Sequence, residues 1–218
     1  MEAVVLAGGD SLRMKPHVWV PKPLVELVEG VTLLEWQVAW LRSHGFDDIY
    51  VCARGFRLEG LDVYWVVEEE KLGTGGALRL AVRELKGDRF YACNCDDILL
   101  DDPVSLMRKE GRGATIAVAR PRLPWGVVEV EEGRVRGFVE KPVFERFVSV
   151  GHYSFDREVV EPLLPERGDL ERGTLPALAE RGLLYAYVVR GEWFAVNTYK
   201  DLLEVRAALA ARGLPPRA

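Results

Sequence analysis

Two hydrophobic periods organise this chain. Short apolar runs bounded by Gly, Asp or Asn suit strands buried in a parallel sheet. Such runs end at Ala7 and recur over Asp48–Ala53, 62–67, 89–93, Ala114–Ala119, 148–155, 184–189 and 193–196, with a short extended piece at 25–28. Elsewhere the apolar positions follow helical spacing. Leu34, Val38 and Leu41 share one such face, and Leu78, Ala81, Val82 and Leu85 another. Thr32-x-x-Glu35 is a capping box for the first helix, and Gly45 stops it. Thr198-x-x-Asp201 caps a last helix that runs to about residue 212. Further helices are predicted over 157–164 and 175–181. Residues 126–130 and 134–140 flank a Glu-Glu-Gly turn and read as a hairpin. Strands alternating with helices imply an α/β domain of Rossmann-like type, a mostly parallel sheet with helices on both faces. No repeat, low-complexity segment or linker breaks the chain, so one domain over 1–218 is expected.

The composition narrows the function classes. Of 218 residues, 49% are hydrophobic, which supports one sizeable core. No apolar stretch is long enough to span a bilayer, and no basic-then-apolar leader opens the chain, so a cytoplasmic protein without a membrane partner is expected. The net charge is −5 and no Lys/Arg run dominates, which leaves no electrostatic footprint for nucleic acid. Cys52, Cys93 and Cys95 form no disulfide framework and read as small core residues. Side-chain amides are scarce, only Gln37, Asn94 and Asn197, while charge is plentiful; that balance suits a thermophile.

The candidate chemistry starts at the first strand. From Val4 to Leu24 the chain reads VVLAGGDSLRMKPHVWVPKPL. Gly8 and Gly9 let the backbone turn after Leu6 and Ala7 with no Cβ to hold a ligand away. Successive N–H groups in such a turn form an anion-binding concavity. Arg13 would add a bidentate fork and Lys22 a point charge. Ligands of open parallel sheets bind at the carboxyl ends of the strands. Two more motifs fall at such ends, Leu72-Gly73-Thr74-Gly75-Gly76 and Asn94-Cys95-Asp96. Thr74 could also serve as a helix cap. Asp97, Asp101 and Asp102 read as caps and loop charges.

These motifs resemble, in order, those of the sugar-1-phosphate nucleotidylyltransferases. That family opens with Gly-Gly-x-Gly-Thr/Ser-Arg-Leu/Met and then Pro-Lys-Pro-Leu. Gly8, Gly9, Arg13, Met14 and Pro21-Lys22-Pro23-Leu24 match; Ser11 and Leu12 depart. Gly73, Thr74 and their neighbours resemble the family's Leu-Gly-Thr-Ala-Gly-Ala-Leu, which lines base and ribose. Asn94-Cys95-Asp96 resembles Asn-Gly-Asp, whose aspartate holds Mg²⁺. Trp125-Gly126-Val127-Val128-Glu129 and Phe138-Val139-Glu140-Lys141-Pro142 resemble the strands that line the sugar phosphate. Ser149 and Gly151 stand in an Asn-x-Gly pattern, with serine in the asparagine place.

The resemblance implies a nucleotide half, 1–112, and a sugar-phosphate half, 113–218. It implies nucleotidyl transfer from a nucleoside triphosphate to a sugar 1-phosphate, with release of pyrophosphate. Arg13, Lys22 and Asp96 would be the catalytic residues. Leu6, Ala7, Gly8, Gly9, Gly73, Thr74 and Asn94 would bind the nucleotide. Gly126, Glu140, Lys141, Ser149 and Gly151 would bind the sugar phosphate. The family's second metal ligand, the aspartate of Trp-x-Asp-x-Gly-Thr, is Ala195 here. Asn197, two residues on, is expected to complete the Mg²⁺ shell with Asp96, and Mn²⁺ to substitute readily. Two other readings stay open: transfer to a non-sugar acceptor such as molybdopterin, and a regulatory subunit that binds nucleotide sugars without catalysis. Base, sugar and homo-oligomeric state are left open too.

Overall fold

The computed structural model describes residues 1–9, 11–108 and 111–212; Asp10 of the opening loop lies outside them. In chain order the elements are β1 (Glu2–Leu6), β2 (Glu26–Val28), β3 (Val31–Thr32), α1 (Leu33–Ser43), β4 (Asp48–Ala53), β5 (Tyr64–Val67), α2 (Gly73–Val82), β6 (Arg89–Asn94), β7 (Asp97–Leu100), α3 (Pro103–Met107), β8 (Ala114–Ala119), β9 (Val127–Glu131), β10 (Arg134–Val139), β11 (Val148–Asp156), α4 (Arg157–Val160), α5 (Thr174–Glu180), β12 (Leu184–Val188), β13 (Glu192–Ala195) and α6 (Tyr199–Ala211).

Seven strands form one sheet in the order β12-β8-β11-β6-β1-β4-β5. The β1–β4, β1–β6, β4–β5 and β8–β12 ladders are parallel, while β11 runs against both β6 and β8. This is the mostly parallel sheet expected from the sequence. Strand β1 shows how it is buried. Ala3, Val5 and Ala7 enter one core with Trp36 and Leu41 of α1, Leu106 of α3 and Leu202, Val205 and Leu209 of α6. Val4 and Leu6 enter the opposite core with Leu78, Ala81 and Val82 of α2, Val160 of α4 and Leu178 of α5. Alternate side chains of a strand serve opposite layers, so a strand covered on both faces reads as one continuous apolar run.

The capping boxes form as expected. Thr32 Oγ1 accepts from the Glu35 N–H at 3.2 Å while the Glu35 carboxylate accepts from the Thr32 N–H at 2.7 Å. Thr198 and Asp201 do the same for α6. Thr74 is not a cap. It sits in the first turn of α2, behind Leu72, and its hydroxyl accepts from the Leu170 N–H and donates to Glu171. Asp102 does cap a helix, α3, by accepting from the Val104 N–H at 2.9 Å. Asp101 ties down a loop by accepting from the Arg190 and Gly191 N–H groups.

After β5 the chain passes through α2 and returns as β6 on the far side of β1 from β4. The loops leaving β1 and β6 therefore diverge, and a crevice opens between them at the switch point. Strands β7 and β13 pair antiparallel beside this crevice, outside the main sheet. Strands β9 and β10 form a separate two-stranded arm. Among the described residues, no helix is long and apolar enough to cross a membrane.

Candidate active site

A cleft of about 290 Å³ lies at the β1–β6 switch point. Leu6, Gly8 and Gly9 line it from the end of β1, Asn94 and Asp96 from the end of β6, and Gly73 and Thr74 from α2. The structure thus gathers most of the residues expected around a nucleotide. Two it does not. Ala7 is fully buried and extends the β1–β4 ladder, its N–H donating to the Cys52 carbonyl at 2.8 Å. Arg13 is exposed on a short 3₁₀ turn and is not part of the cleft lining.

Three chain segments meet at one end. The Lys22 ammonium lies 2.5 Å from Asp96 Oδ2 and 3.3 Å from Asn197 Oδ1. Pro21 and Pro23 bracket Lys22 in a 3₁₀ turn, and its N–H donates to the Gly9 carbonyl at 3.3 Å. The flanking prolines fix φ and hold the turn open to the loop. Lys22 is only 8% exposed and lies outside the cleft lining itself, joined to it through Asp96. Ser11, where the resemblance expects glycine, is buried and closes the intervening loop by donating to the Val20 carbonyl at 2.5 Å.

The glycines at α2 serve close packing. Gly75 and Gly76 donate their N–H groups to the Gly168 carbonyl at 2.9 and 3.2 Å. Those groups are therefore spent on the protein and not on a phosphate. Gly73 has φ +79, and a Cβ there would fall 2.6 Å from the Gly168 oxygen. Gly73→Ala is expected to destabilise the fold by about 2–4 kcal/mol, left-handed strain plus a clash that backbone cannot relieve cheaply. Gly30→Ala, at φ +72 with open space around it, should show only the strain. Thermal unfolding of the two variants side by side checks the difference.

Other site residues escaped the sequence reading. Glu68, 5% exposed, puts its carboxylate into the cleft beside Gly8, where an added Cβ would meet Glu68 Oε1 at 3.0 Å. It accepts from the Leu72 N–H at 3.4 Å, and burial raises its pKa against the opposing effects of that hydrogen bond and of the Arg54 charge. Asp169 joins the lining from the second half of the chain. In the sequence Glu68 opens a run of three glutamates and looks like a solvated face.

Asp97 corrects an expectation. It is no loop charge. Its Oδ2 accepts from Asn94 Nδ2 at 3.0 Å and its Oδ1 from the Trp193 indole at 2.9 Å. Its backbone carbonyl accepts from Gln37 Nε2 at 3.0 Å and from His152 Nε2 at 2.9 Å. Gln37 also donates to the Asn94 carbonyl at 3.2 Å, so all three amides of the chain serve this site. Burial and the adjacent Asp96 push the Asp97 carboxyl up to about 7. His152, fully buried, accepts from the Tyr91 hydroxyl at 2.6 Å, and burial holds it down to about 4.

The two shifts act oppositely on stability. Below pH 6.5 the unfolded chain protonates His152 while the folded one refuses the proton, so acid removes stability. Between 7 and 3.8 the folded chain protonates Asp97 first, so acid adds stability. Asp97→Asn leaves the histidine effect alone. Its melting temperature should fall more steeply from pH 7 to 4.5 than that of the wild type, by the equivalent of roughly 3 kcal/mol. Melting curves in metal-free buffer at both pH values measure this; parallel slopes would refute it.

The expected acceptor residues lie away from the cleft lining. Gly126 and Glu140 meet at the root of the arm, where a Cβ on Gly126 would lie 3.0 Å from Glu140 Oε2. Lys141 is exposed at φ +48, and Ser149 is exposed on β11. Gly151 is buried at φ +71 in the irregular stretch of β11, pressed against Asn94 and Asp97. A more open groove of about 840 Å³ runs past Arg120, Arg122 and Phe147 to Trp193, whose indole holds Asp97.

Comparison with known proteins agrees with this geometry. A family model described as a MobA-like NTP transferase domain matches residues 3–185. The mannose-1-phosphate guanylyltransferase catalytic subunit beta of Danio rerio is 34% identical, over 93% of this chain and 63% of that one. A mannose-1-phosphate guanyltransferase of Yarrowia lipolytica is 32% identical, over 93% and 62%. The chain therefore spans a little under two thirds of the length of these relatives. HddC from Yersinia pseudotuberculosis superposes with a TM-score of 0.74 at 20% identity, covering 95% of this chain and 98% of that one. A Bacillus anthracis protein, described as a candidate glucose-1-phosphate thymidylyltransferase, gives 0.75 at 21% identity, covering 98% and 96%. At those identities the structures share the fold, whereas the family match runs from the first strand of the sheet to its last, and the chain belongs to the MobA-like NTP transferases.

Proposed function

We propose that the protein transfers a nucleotidyl group from a nucleoside triphosphate to a sugar 1-phosphate, releasing pyrophosphate. The observation that carries this is Lys22, a nearly buried cation held between Asp96 and Asn197 at one end of a nucleotide-sized cleft. A phosphate oxygen of the acceptor attacks the α-phosphorus. The new P–O bond forms as the bond to the β-phosphate breaks, and pyrophosphate leaves with the electron pair. The acceptor is already an anion, so no protein nucleophile or base is required. Catalysis is positioning plus charge stabilisation. Lys22 meets the α-phosphate and Arg13 the β- and γ-phosphates. Glu140 takes sugar hydroxyls and Lys141 the acceptor phosphate, with Gly126, Ser149 and Gly151 shaping that side.

The donor set suits Mg²⁺. Asp96 Oδ2 and Asn197 Oδ1 already share one cation, the Lys22 ammonium, so both oxygens are aimed at a common point. One carboxylate, one amide oxygen, substrate phosphates and water are ligands of the hard kind magnesium takes. Among the described residues no group of three or more His, Cys, Asp or Glu is arranged for a metal, so the substrate must supply much of the shell. The ion would neutralise phosphate charge.

Glu68 favours guanine as the base. A carboxylate repels phosphate, so the triphosphate lies toward Lys22 and the base toward Glu68. Guanine presents N1–H and N2–H₂ side by side, two donors for two carboxylate oxygens. The other bases set a donor beside an acceptor. The names of the relatives point the same way and make mannose 1-phosphate the first acceptor to try.

Pyrophosphate release from four triphosphates against a panel of sugar 1-phosphates tests this. GTP with a hexose 1-phosphate should be the best pair, and ITP, which lacks the N2 donors, should lose about tenfold in kcat/KM. Lys141→Ala should raise KM for the sugar phosphate far more than for the triphosphate. Release with molybdopterin alone would favour the other acceptor, and nucleotide-sugar binding without any release would favour a regulatory subunit.

A further inference from the structure

We infer that Asp97 is a positioning residue that locks the Asn94 amide with its carbonyl oxygen toward the nucleotide cleft, so that the cleft selects for a ribose hydroxyl. The inference rests on the nucleotide reading above and deepens it.

Asn94 lines the cleft and stands level with Leu6 across the β1–β6 ladder. Its Nδ2 is turned away, to Asp97 Oδ2 at 3.0 Å. Both Asp97 oxygens act as acceptors, from Asn94 Nδ2 and from the Trp193 indole, so the carboxylate holds the NH₂ end of the amide and not its oxygen end. Asn94 Oδ1 is then left for the cleft as a pure acceptor. Asp97 itself cannot swing. The Trp193 indole holds its other oxygen, and Gln37 and His152 hold its backbone carbonyl. Gly151 closes the remaining side: a Cβ there would fall 2.1 Å from Asp97 Oδ2 and 2.5 Å from Asn94 Nδ2.

A nucleotide must bring a donor to that acceptor. Its phosphates have none, and guanine's paired donors are taken by Glu68. Glu68 follows β5, and β6, on the other side of β1, ends at Asn94 two residues before Asp96; the sugar, which joins base to α-phosphate, is assigned to this stretch of the cleft. The ribose hydroxyls are the donors available there.

The test is calorimetric binding of the best-bound triphosphate and of its 2′-deoxy and 3′-deoxy forms. Binding reads the preference whether or not transfer occurs. One deoxy form should bind the wild type about tenfold more weakly. Asp97→Asn, whose new amide can hold either end of Asn94, should cut that ratio to about threefold or less. Asn94→Ala should erase it, and adding Asp97→Asn to Asn94→Ala should change nothing further. Triphosphate binding with no deoxy penalty in the wild type overturns this inference but spares the function. An unchanged penalty in Asn94→Ala, or in folded Asp97→Asn, also overturns it, and the first needs no tolerance of change at Asp97. Failure to bind any triphosphate would overturn the function itself.

Discussion

Lys22→Ala is expected to lower nucleotidyl transfer by about two to three orders of magnitude, the scale of losing one transition-state donor. The ammonium is nearly buried beside Asp96, so water would replace it poorly in the role proposed for it at the α-phosphate. The fold should survive. Asp96, left without its partner, is partly exposed and can hydrate. Steady-state pyrophosphate release, with circular dichroism as the control for folding, measures the effect. Near-normal turnover in a folded variant would sink the role. Lys22→Arg should recover little, because a planar fork does not fit a point-charge site between Asp96 and Asn197.

Asp96→Asn should nearly abolish turnover, whereas Asn197→Ala should cost about tenfold and mainly raise the Mg²⁺ concentration needed for half-maximal rate. The asymmetry follows from charge: Asp96 is the anionic anchor and Asn197 a neutral oxygen. Metal titrations of both variants decide it, and an unchanged Mg²⁺ requirement in Asn197→Ala would show that Asn197 only helps to start α6. Ala195→Asp, which restores the family's second aspartate, carries a cost visible in the structure. Ala195 stands directly opposite Asp97 in the β13–β7 ladder. Two carboxylates there would repel each other. The aspartate at 97 and the alanine at 195 are therefore compatible as a pair.

Most of the fold is written in local patterns. The apolar run ending at Ala7, the Thr32–Glu35 box and the Glu-Glu-Gly turn between β9 and β10 all use short-range rules of alternation, capping and turn chemistry, and the elements appear where those rules put them. The Gly8-Gly9 loop, Asn94 and Asp96 were also legible as neighbours of one cleft, because strand ends at a switch point are where a parallel sheet leaves backbone open. That they share one cleft follows from strand order.

What the sequence could not determine is which partners distant residues meet. Glu68 looked like one of three surface glutamates until the β4–β5 edge tucked it beside Gly8. The glycine loop at α2 resembled one that lines base and ribose, and the segment around Gly168 claims the N–H groups of Gly75 and Gly76. Asp97 looked like a loop charge, yet Gln37, Trp193 and Gly151 converge on it from α1, β13 and β11. By itself the sequence determined most of the elements, though not β7 or α3, and the end of the sheet that opens into the cleft, because hydrophobic period and turn chemistry are properties of neighbours in the chain. Only the tertiary structure decided which polar groups are enclosed and which are spent on one another, because desolvation and hydrogen-bond pairing belong to neighbours in space.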